Sequence, residues 1–444
     1  MSEQSPARSA LLNDGVRRRE VFGWAMYDFA NSGYTTVVLT AVFNAYFVSV
    51  IAGRADWATF AWTASLAVSS LLVIVSIPLI GALADVCAAK KRLLLVATIG
   101  CVLSTALLAL SGPGSLALAV VLIIASNYFF SVGEALIGAF LPELARQQAL
   151  GKVSGWGWSF GYFGGMLALG LCLAWVLYAQ SLGQSATDFV PVTLLITAAL
   201  FATASVPTFL LLKERSSVHG QPTAAIAAQT SQAFQRVLQT WAAARRYKDF
   251  GRLLLCGALY QAGISVVIAL AAIYAEQVMG FQQSQTMALV FAVNLASALG
   301  AFMFGYGQDQ IGHRLALGLT LLGWIAMVLV AALGETVGTF WFAAVLAGLC
   351  MGSSQSGGRA LVGLLAPAER LGEFFGLWAL AMRVAAIIGP LTYGTVTWAT
   401  QGNHRLAILL TGLFFVAGLV VLMSIRLDRG VTAARSSQDS DAAI

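Results

Sequence analysis

The sequence predicts an all-α polytopic membrane protein: twelve transmembrane helices in two pseudo-symmetric six-helix bundles. Three observations predict it. The 444 residues are 59% hydrophobic and only 10% charged, whereas a water-soluble domain carries about 25% charged residues. Twelve apolar segments reach the roughly 20 residues that cross a bilayer as helix. One short loop is written twice, GALADVCAAKKR at 81–92 and GYGQDQIGHR at 305–314. Each copy closes an apolar segment with a Gly, places an Asp four residues later and follows with basic residues. Asp85 and Asp309 stand 224 positions apart, about half the chain.

The elements follow in order. Residues 1–20 form a polar, basic N-tail with no secretory signal, because the first apolar stretch is too long and lacks a small-residue cleavage site. The first bundle, 21–212, holds spans at roughly 21–50, 57–84, 93–112, 115–141, 153–180 and 189–212. A linker, 213–251, interrupts the pattern: 216–231 is polar, and then Phe234, Val237, Leu238, Trp241 and Ala242 recur at helical spacing beside Arg236, Arg245 and Arg246. That spacing reads as an amphipathic helix on the inner membrane surface, or as a solvated linker helix. The second bundle, 252–427, holds spans at roughly 252–279, 285–308, 315–334, 338–365, 373–400 and 404–426. The tail, 428–444, reads as disordered from Val431 onward. Trp57, Trp341 and Trp398 fit interfacial belts.

The charges orient the chain. With the N-terminus inside, 21 of the 25 Lys and Arg residues fall on the inner side, Arg54 and Arg405 fall outside, and Arg359 and Arg383 lie within spans. The positive-inside rule then puts both termini in the cytoplasm. The net charge of +6 therefore reflects topology and contact with anionic lipid, not a nucleic-acid partner. The five cysteines form no CxxC pair, and His219, His313 and His404 all fall in loops, so neither disulfide, metal site nor cofactor is expected.

The halves match beyond the loops: Pro142 and Pro367 are 225 positions apart. Parallel half-repeats about an axis along the membrane normal, together with the duplicated loop, resemble the major facilitator superfamily. In the loop, an Asp at a helix end either caps a neighbouring helix or pairs with a base across the bundle, holding one conformation. Asp85, Asp309 and Arg314 are the gating candidates. The second copy is the fuller match, with Gly312, where the first has Ala88. Four further stretches narrow the resemblance: GWAMYDFANS from Gly23, VSGWGWSFGYFGG from Val153, SSQSGGRA from Ser353 and GEFFGLW from Gly372. Together they resemble the vacuole-effluxer-like permeases, also called the unknown major facilitator family, over nearly the whole chain. The resemblance implies a carrier whose eukaryotic relatives export amino acids from the vacuole. The compact chain lacks long luminal loops, which suggests a bacterial-type member in the plasma (inner) membrane.

Charged side chains within a span are costly and usually face a cavity with a partner. Asp28 lies about two turns into span 1, with Asn31 one turn on; it is a protonatable carboxylate, a ligand for a substrate ammonium, or a helix-packing group. Glu134 in span 4 and Arg359 in span 10 are 225 apart and so are symmetry mates. They either form an inside gate, or Arg359 binds substrate while Glu134 carries the proton, or they make two unrelated pairs, each within its own half. Arg383, about 15 Å into span 11, has no neutralising group in the adjacent turns of its own helix. It suits an anionic substrate group through bidentate contact, or pairs with Asp28 or Glu134. Gln261, Tyr162, Gln355, Asn127, Tyr128 and Asn294 are uncharged cavity candidates, each able to serve instead as an interhelical bond. Gly157, Gly161 and Gly165 mark one face of span 5 for close packing, with the seam between halves as one location, and Gly389-Pro390 would bend span 11 near Arg383.

A monomeric secondary carrier follows, moving a small amino acid or related carboxylate-bearing metabolite by alternating access, coupled to protons through Asp28 or Glu134. An exporter of drugs or other organic ions is the alternative. The chain has no GxxxxGK[ST] motif, and no HExxH or HxxxxD site for a membrane enzyme. Its tails are too short for the signalling domain of a sensor.

Overall fold

The computed structural model describes residues 11–53, 58–215, 247–277, 279, 283–400 and 404–441. The linker helix around Trp241, the bases Arg8, Arg54, Arg236, Arg245 and Arg246, Trp57 and His219 lie outside the described residues.

Among the described residues, twelve helices are long and apolar enough to cross a membrane. In chain order they are α1 (Arg18–Ile51), α2 (Ala58–Val86), α3 (Lys90–Leu107), α4 (Leu116–Gly138), α5 (Leu150–Ser181) and α6 (Ala186–Leu211) in the first half. The second half has α7 (Lys248–Gln277), α8 (Gln283–Ile311), α9 (His313–Leu333), α10 (Val337–Leu365), α11 (Leu371–Ala399) and α12 (His404–Met423). Among the described residues there is no strand, only an isolated bridge between Leu12 and Ala145. Apolar side chains cover the outside, with Val75 79% and Leu210 76% exposed, a surface that only lipid accommodates. An even number of spans returns both termini to one face, called here the terminal face.

Local chemistry sets the ends. Ser185 and Asp188 cap α6, and the Thr336 side chain accepts from the Thr339 N–H to start α10. The two copies of the repeated loop turn through left-handed backbone at equivalent positions, Gly312 (φ 93°) and Ala88 (φ 45°). Glycine adopts that conformation freely, whereas the alanine bears a steric cost.

Each half has its own core, one around Trp24, Tyr27 and Tyr34 and the other around Tyr260, Trp324 and Phe374. Within the first half, Gly157, Gly161 and Gly165 pack against α1, where added β-carbons would meet Asp28, Ser32 and Thr36. Sequence reading offered the seam between halves as their location; the structure sets them inside one half. Glycines meet between the halves at both seams, Gly155 on α5 against Gly305 on α8 and Gly81 on α2 against Gly372 on α11. The halves meet along two equivalent seams, α2 with α11 and α5 with α8.

The tail is helical from Leu427 to Asp441, where sequence reading expected disorder from Val431. A thirteenth helix, α13 (Leu427–Asp441), follows α12. Leu427, Val431 and Ala434 recur at helical spacing; the first two pack on the second core and Ala434 is buried, while Arg429 clasps Asp249 at 2.6 and 2.8 Å. The short apolar stripe is diluted by polar neighbours in sequence, and its partner surface exists only in the folded bundle.

Candidate functional site

The contacts between halves concentrate toward the terminal face. Asp85, at the end of α2, accepts the N–H groups of Gly372 (3.1 Å) and Glu373 (3.0 Å) at the start of α11. Asp309, at the end of α8, accepts those of Gly151 (3.0 Å) and Lys152 (2.9 Å) at the start of α5. Each carboxylate thus satisfies two orphan donors and meets the positive end of a helix in the opposite half. The copies then diverge. Asp85 also holds the buried Lys90 at 3.1 Å, which reaches Glu143 at 2.8 Å. Arg314 spends its guanidinium on the Met423 carbonyl in its own half, so it is not a partner of Asp309. His313, counted as a loop residue from sequence, begins α9, is buried and lies 4.0 Å from Asp309.

Deeper in the membrane, four charged side chains bridge the halves in two pairs. Sequence reading offered Glu134 facing Arg359 as one arrangement and Glu134 as one partner for Arg383; of these the structure has the second pair. Arg359 on α10 binds Asp28 on α1 through two hydrogen bonds, at 2.5 and 3.1 Å. Its guanidinium lies over the rings of Trp24 (5.4 Å) and Trp158 (4.9 Å). Trp24 is anchored in turn by donating to the Ile137 carbonyl at 2.9 Å. Glu134 on α4 meets Arg383 on α11 at 3.3 Å. Symmetry mates share a depth but need not face one another, because the rotation that relates the halves turns their side chains too.

The two pairs differ in kind. Asp28 and Arg359 are 5% and 8% exposed, whereas Glu134 and Arg383 are 38% and 19% exposed. The first is a nearly buried, bidentate bridge under two indole rings, with only Arg359 reaching a cavity wall. The second is a single contact that faces a cavity. That cavity, of about 270 Å³, lies between the halves and is lined by Glu134, Gln261, Gln355, Arg359 and Arg383, with Trp158 on one wall. Gln355 donates to Gln261 at 3.3 Å, so the two amides form one polar edge.

A second cavity of about 280 Å³ adjoins it and shares Thr35, Trp158 and Ile268 with it. Its lining is largely apolar and includes Tyr162 and Asn294. Phe340 and Ile408, which also line it, lie about one turn from the helix ends at the face opposite the termini. The molecule is therefore closed on its terminal face and hollow toward the other. Beside both cavities, α1 leaves α-helical geometry for a π-helical stretch at Thr35–Ala41, a distortion frequent at functional sites.

The remaining sequence candidates sit elsewhere. Asn31 is buried and lines neither cavity. Asn127 donates to Ser69 at 3.0 Å and Tyr128 meets Ser76 at 3.0 Å, both tying α4 to α2. Gly389 admits the Ala262 carbonyl of α7 close against α11. Sequence reasoning missed Trp158. Its indole N–H is buried without a hydrogen-bond partner among the described residues, at the junction of the two cavities. A legible signal was its place four residues before Tyr162 on one helix face.

The family profile described as "Vacuole effluxer Atg22 like" matches residues 44–152 and 148–435. An uncharacterized MFS-type transporter, YxiO of Bacillus subtilis (strain 168), is 26% identical over 404 residues, covering 90% of this chain and 93% of that protein. Autophagy-related protein 22-1 of Penicillium rubens is 25% identical over 212 residues, covering 45% of this chain and 36% of its own length. Among solved structures, the human organic anion transporter MFSD10 superposes with a TM-score of 0.72 at 17% identity, over 94% of this chain and 100% of that one. The proton:xylose symporter XylE gives 0.71 at 13% identity, over 92% and 95%. A profile match across most of the chain, a full-length transporter relative and the shared twelve-helix architecture lead to one conclusion: this protein is a transporter of the major facilitator superfamily and belongs to the vacuole effluxer Atg22-like family.

Proposed function

We propose that the protein carries an amino acid or related carboxylate-bearing metabolite by alternating access, coupled to protons through Glu134. The observation that carries this reading is the cavity-facing Glu134–Arg383 pair. Arg383 presents a guanidinium suited to a substrate carboxylate. A carboxylate that takes Arg383 frees Glu134, which then binds a substrate ammonium or a proton. Arg359, Gln261 and Gln355 extend the polar wall, Tyr162 stands in the adjoining cavity, and the Trp158 N–H supplies a further donor. Asp28, which sequence reading paired with Glu134 as a proton carrier, serves instead to hold Arg359 and the closed seam.

Asp85 and Asp309 act as twin latches of the closed terminal face. The Lys and Arg distribution supports a cytoplasmic terminal face, which makes this the outward-facing state of a plasma-membrane carrier. The family description, vacuole effluxer, favours an organelle for other members of the family. The structural neighbour MFSD10 is an organic anion transporter, which supports a second reading, an organic anion without an ammonium; it uses Arg383 in the same way and leaves Glu134 for the proton alone.

The test is a thermal-shift screen of the purified protein against amino acids, small peptides, organic acids, sugars and cationic drugs, with Arg383→Ala alongside. A ligand at a hundredfold excess over its Kd stabilises by about 2.7 kcal/mol. Stabilisation by carboxylate compounds, lost in Arg383→Ala, is the expected result. Stabilisation by cationic compounds alone overturns the reading.

A further inference from the structure

A groove of about 460 Å³ runs down the outside of the molecule at the terminal face and belongs to neither cavity described above. Its walls come from four elements: Leu11 and Leu12 of the N-tail, Arg18 to Ala25 on α1, Trp156 and Phe160 on α5, and Tyr306 on α8. It therefore crosses the α5–α8 seam, with Tyr306 supplied by the opposite half. Phe22 and Phe160 meet edge-to-face at 6.3 Å and are 47% and 39% exposed, so the deeper part is an open aromatic slot. From Arg18 to Ala25 the slot descends about 10 Å along α1. The rim is basic. Arg17, Arg18 and Arg19 are exposed at the start of α1, and Lys152 places its ammonium 4.7 Å over the Tyr306 ring. No acid lines the groove; nearby, Asp14 is taken by Arg146 and Glu20 by Arg215.

We propose that this groove binds one anionic phospholipid, its phosphate between Arg18 and Lys152 and an acyl chain against Phe22, Trp156 and Phe160. The chemistry is complementary at both ends. A basic rim at headgroup depth attracts the phosphate, and the aromatic slot below it opens only to hydrocarbon. The position also ties the lipid to the closed state. Lys152 gives its backbone N–H to Asp309 at 2.9 Å, and Trp156 donates to the Tyr306 hydroxyl at 3.3 Å across the seam. A phosphate that holds Lys152 over Tyr306 adds a bridge between the halves, and parting of α5 from α8 dismantles the groove. The bound lipid thus favours closure of the terminal face.

The experiment titrates the delipidated full-length protein in detergent with dioleoylphosphatidylglycerol, dioleoylphosphatidylcholine or inorganic phosphate. Thermal midpoint and native mass are read for the unaltered protein, Arg18→Gln/Lys152→Gln and Phe160→Gln. The expected result is a saturable midpoint rise of several degrees with phosphatidylglycerol, at one lipid per protein. Phosphatidylcholine should require at least tenfold more lipid for the same rise. The charge variant should lose the preference while keeping the phosphatidylcholine response, and Phe160→Gln should weaken binding of both lipids. Equal potency of the two lipids overturns the proposal, as does a preference that survives in the charge variant. A full rise with inorganic phosphate alone would make this an anion site rather than a lipid site. A mass of two chains that disappears on adding phosphatidylglycerol would assign the groove to a second copy.

Discussion

Removing the carboxylate of Asp28 without changing its shape should open the terminal face. In the closed molecule Asp28 and Arg359 are 5% and 8% exposed and share two hydrogen bonds, at 2.5 and 3.1 Å. Arg359 lies over two indole rings and has no other carboxylate within bonding distance among its described contacts. Asp28→Asn therefore leaves a guanidinium buried and uncompensated, a loss of about 3–5 kcal/mol where buried pairs are broken on one side. Because Asp28 belongs to one half and Arg359 to the other, separation of the halves hydrates the orphan. The cost thus falls on the closed state and shifts the closed-to-open ratio by roughly a hundred- to a few-thousand-fold, at about 1.4 kcal/mol per decade. The assay is alkylation of Ser159→Cys in a Cys87→Ser background, read against that background alone. Ser159 is buried in the α5–α8 seam, donating to the Ala298 carbonyl at 2.8 Å. Labelling should be slow with Asp28 present and at least a hundredfold faster with Asp28→Asn. The double variant Asp28→Asn/Arg359→Gln should fall between, since it buries no charge. Unchanged labelling in a folded Asp28→Asn protein would refute the claim that this pair holds the seam.

Three further outcomes follow from the same geometry. Glu134→Gln should abolish uphill, proton-driven uptake into proteoliposomes while leaving exchange of substrate for substrate; full uphill transport would remove Glu134 from coupling. Trp158→Phe keeps a ring over Arg359 but deletes the unpartnered N–H. It should weaken substrate binding about tenfold, one hydrogen bond's worth at roughly 1–1.5 kcal/mol, with the unliganded thermal midpoint nearly unchanged. Ala88→Gly relieves the left-handed turn at φ 45° and should stabilise the protein by about 0.5–1 kcal/mol; a fall in midpoint would show that the alanine sits there without strain.

The sequence by itself determined the twelve helices and the repeat, because both depend on local or linear properties. The length of an apolar run decides whether it spans a bilayer. The spacing of Gly81 and Asp85 against Gly305 and Asp309 exposes the duplication without any fold. The roster of intramembrane charges was equally legible, since each is costly wherever its helix points. Partner choice was not. A rotation of one residue swings a side chain about 100° around its helix, and symmetry in sequence fixes depth rather than direction. Only the packed bundle brings Arg359 to Asp28 and leaves Glu134 with Arg383 in the cavity. The same holds for Trp158, an ordinary aromatic in sequence, whose N–H becomes an orphan donor only once two cavities form on either side of it. Tertiary structure likewise decided that Arg314 turns to the Met423 carbonyl while Asp309 takes the start of α5. Both choices are settled by helix ends that lie more than a hundred residues away along the chain.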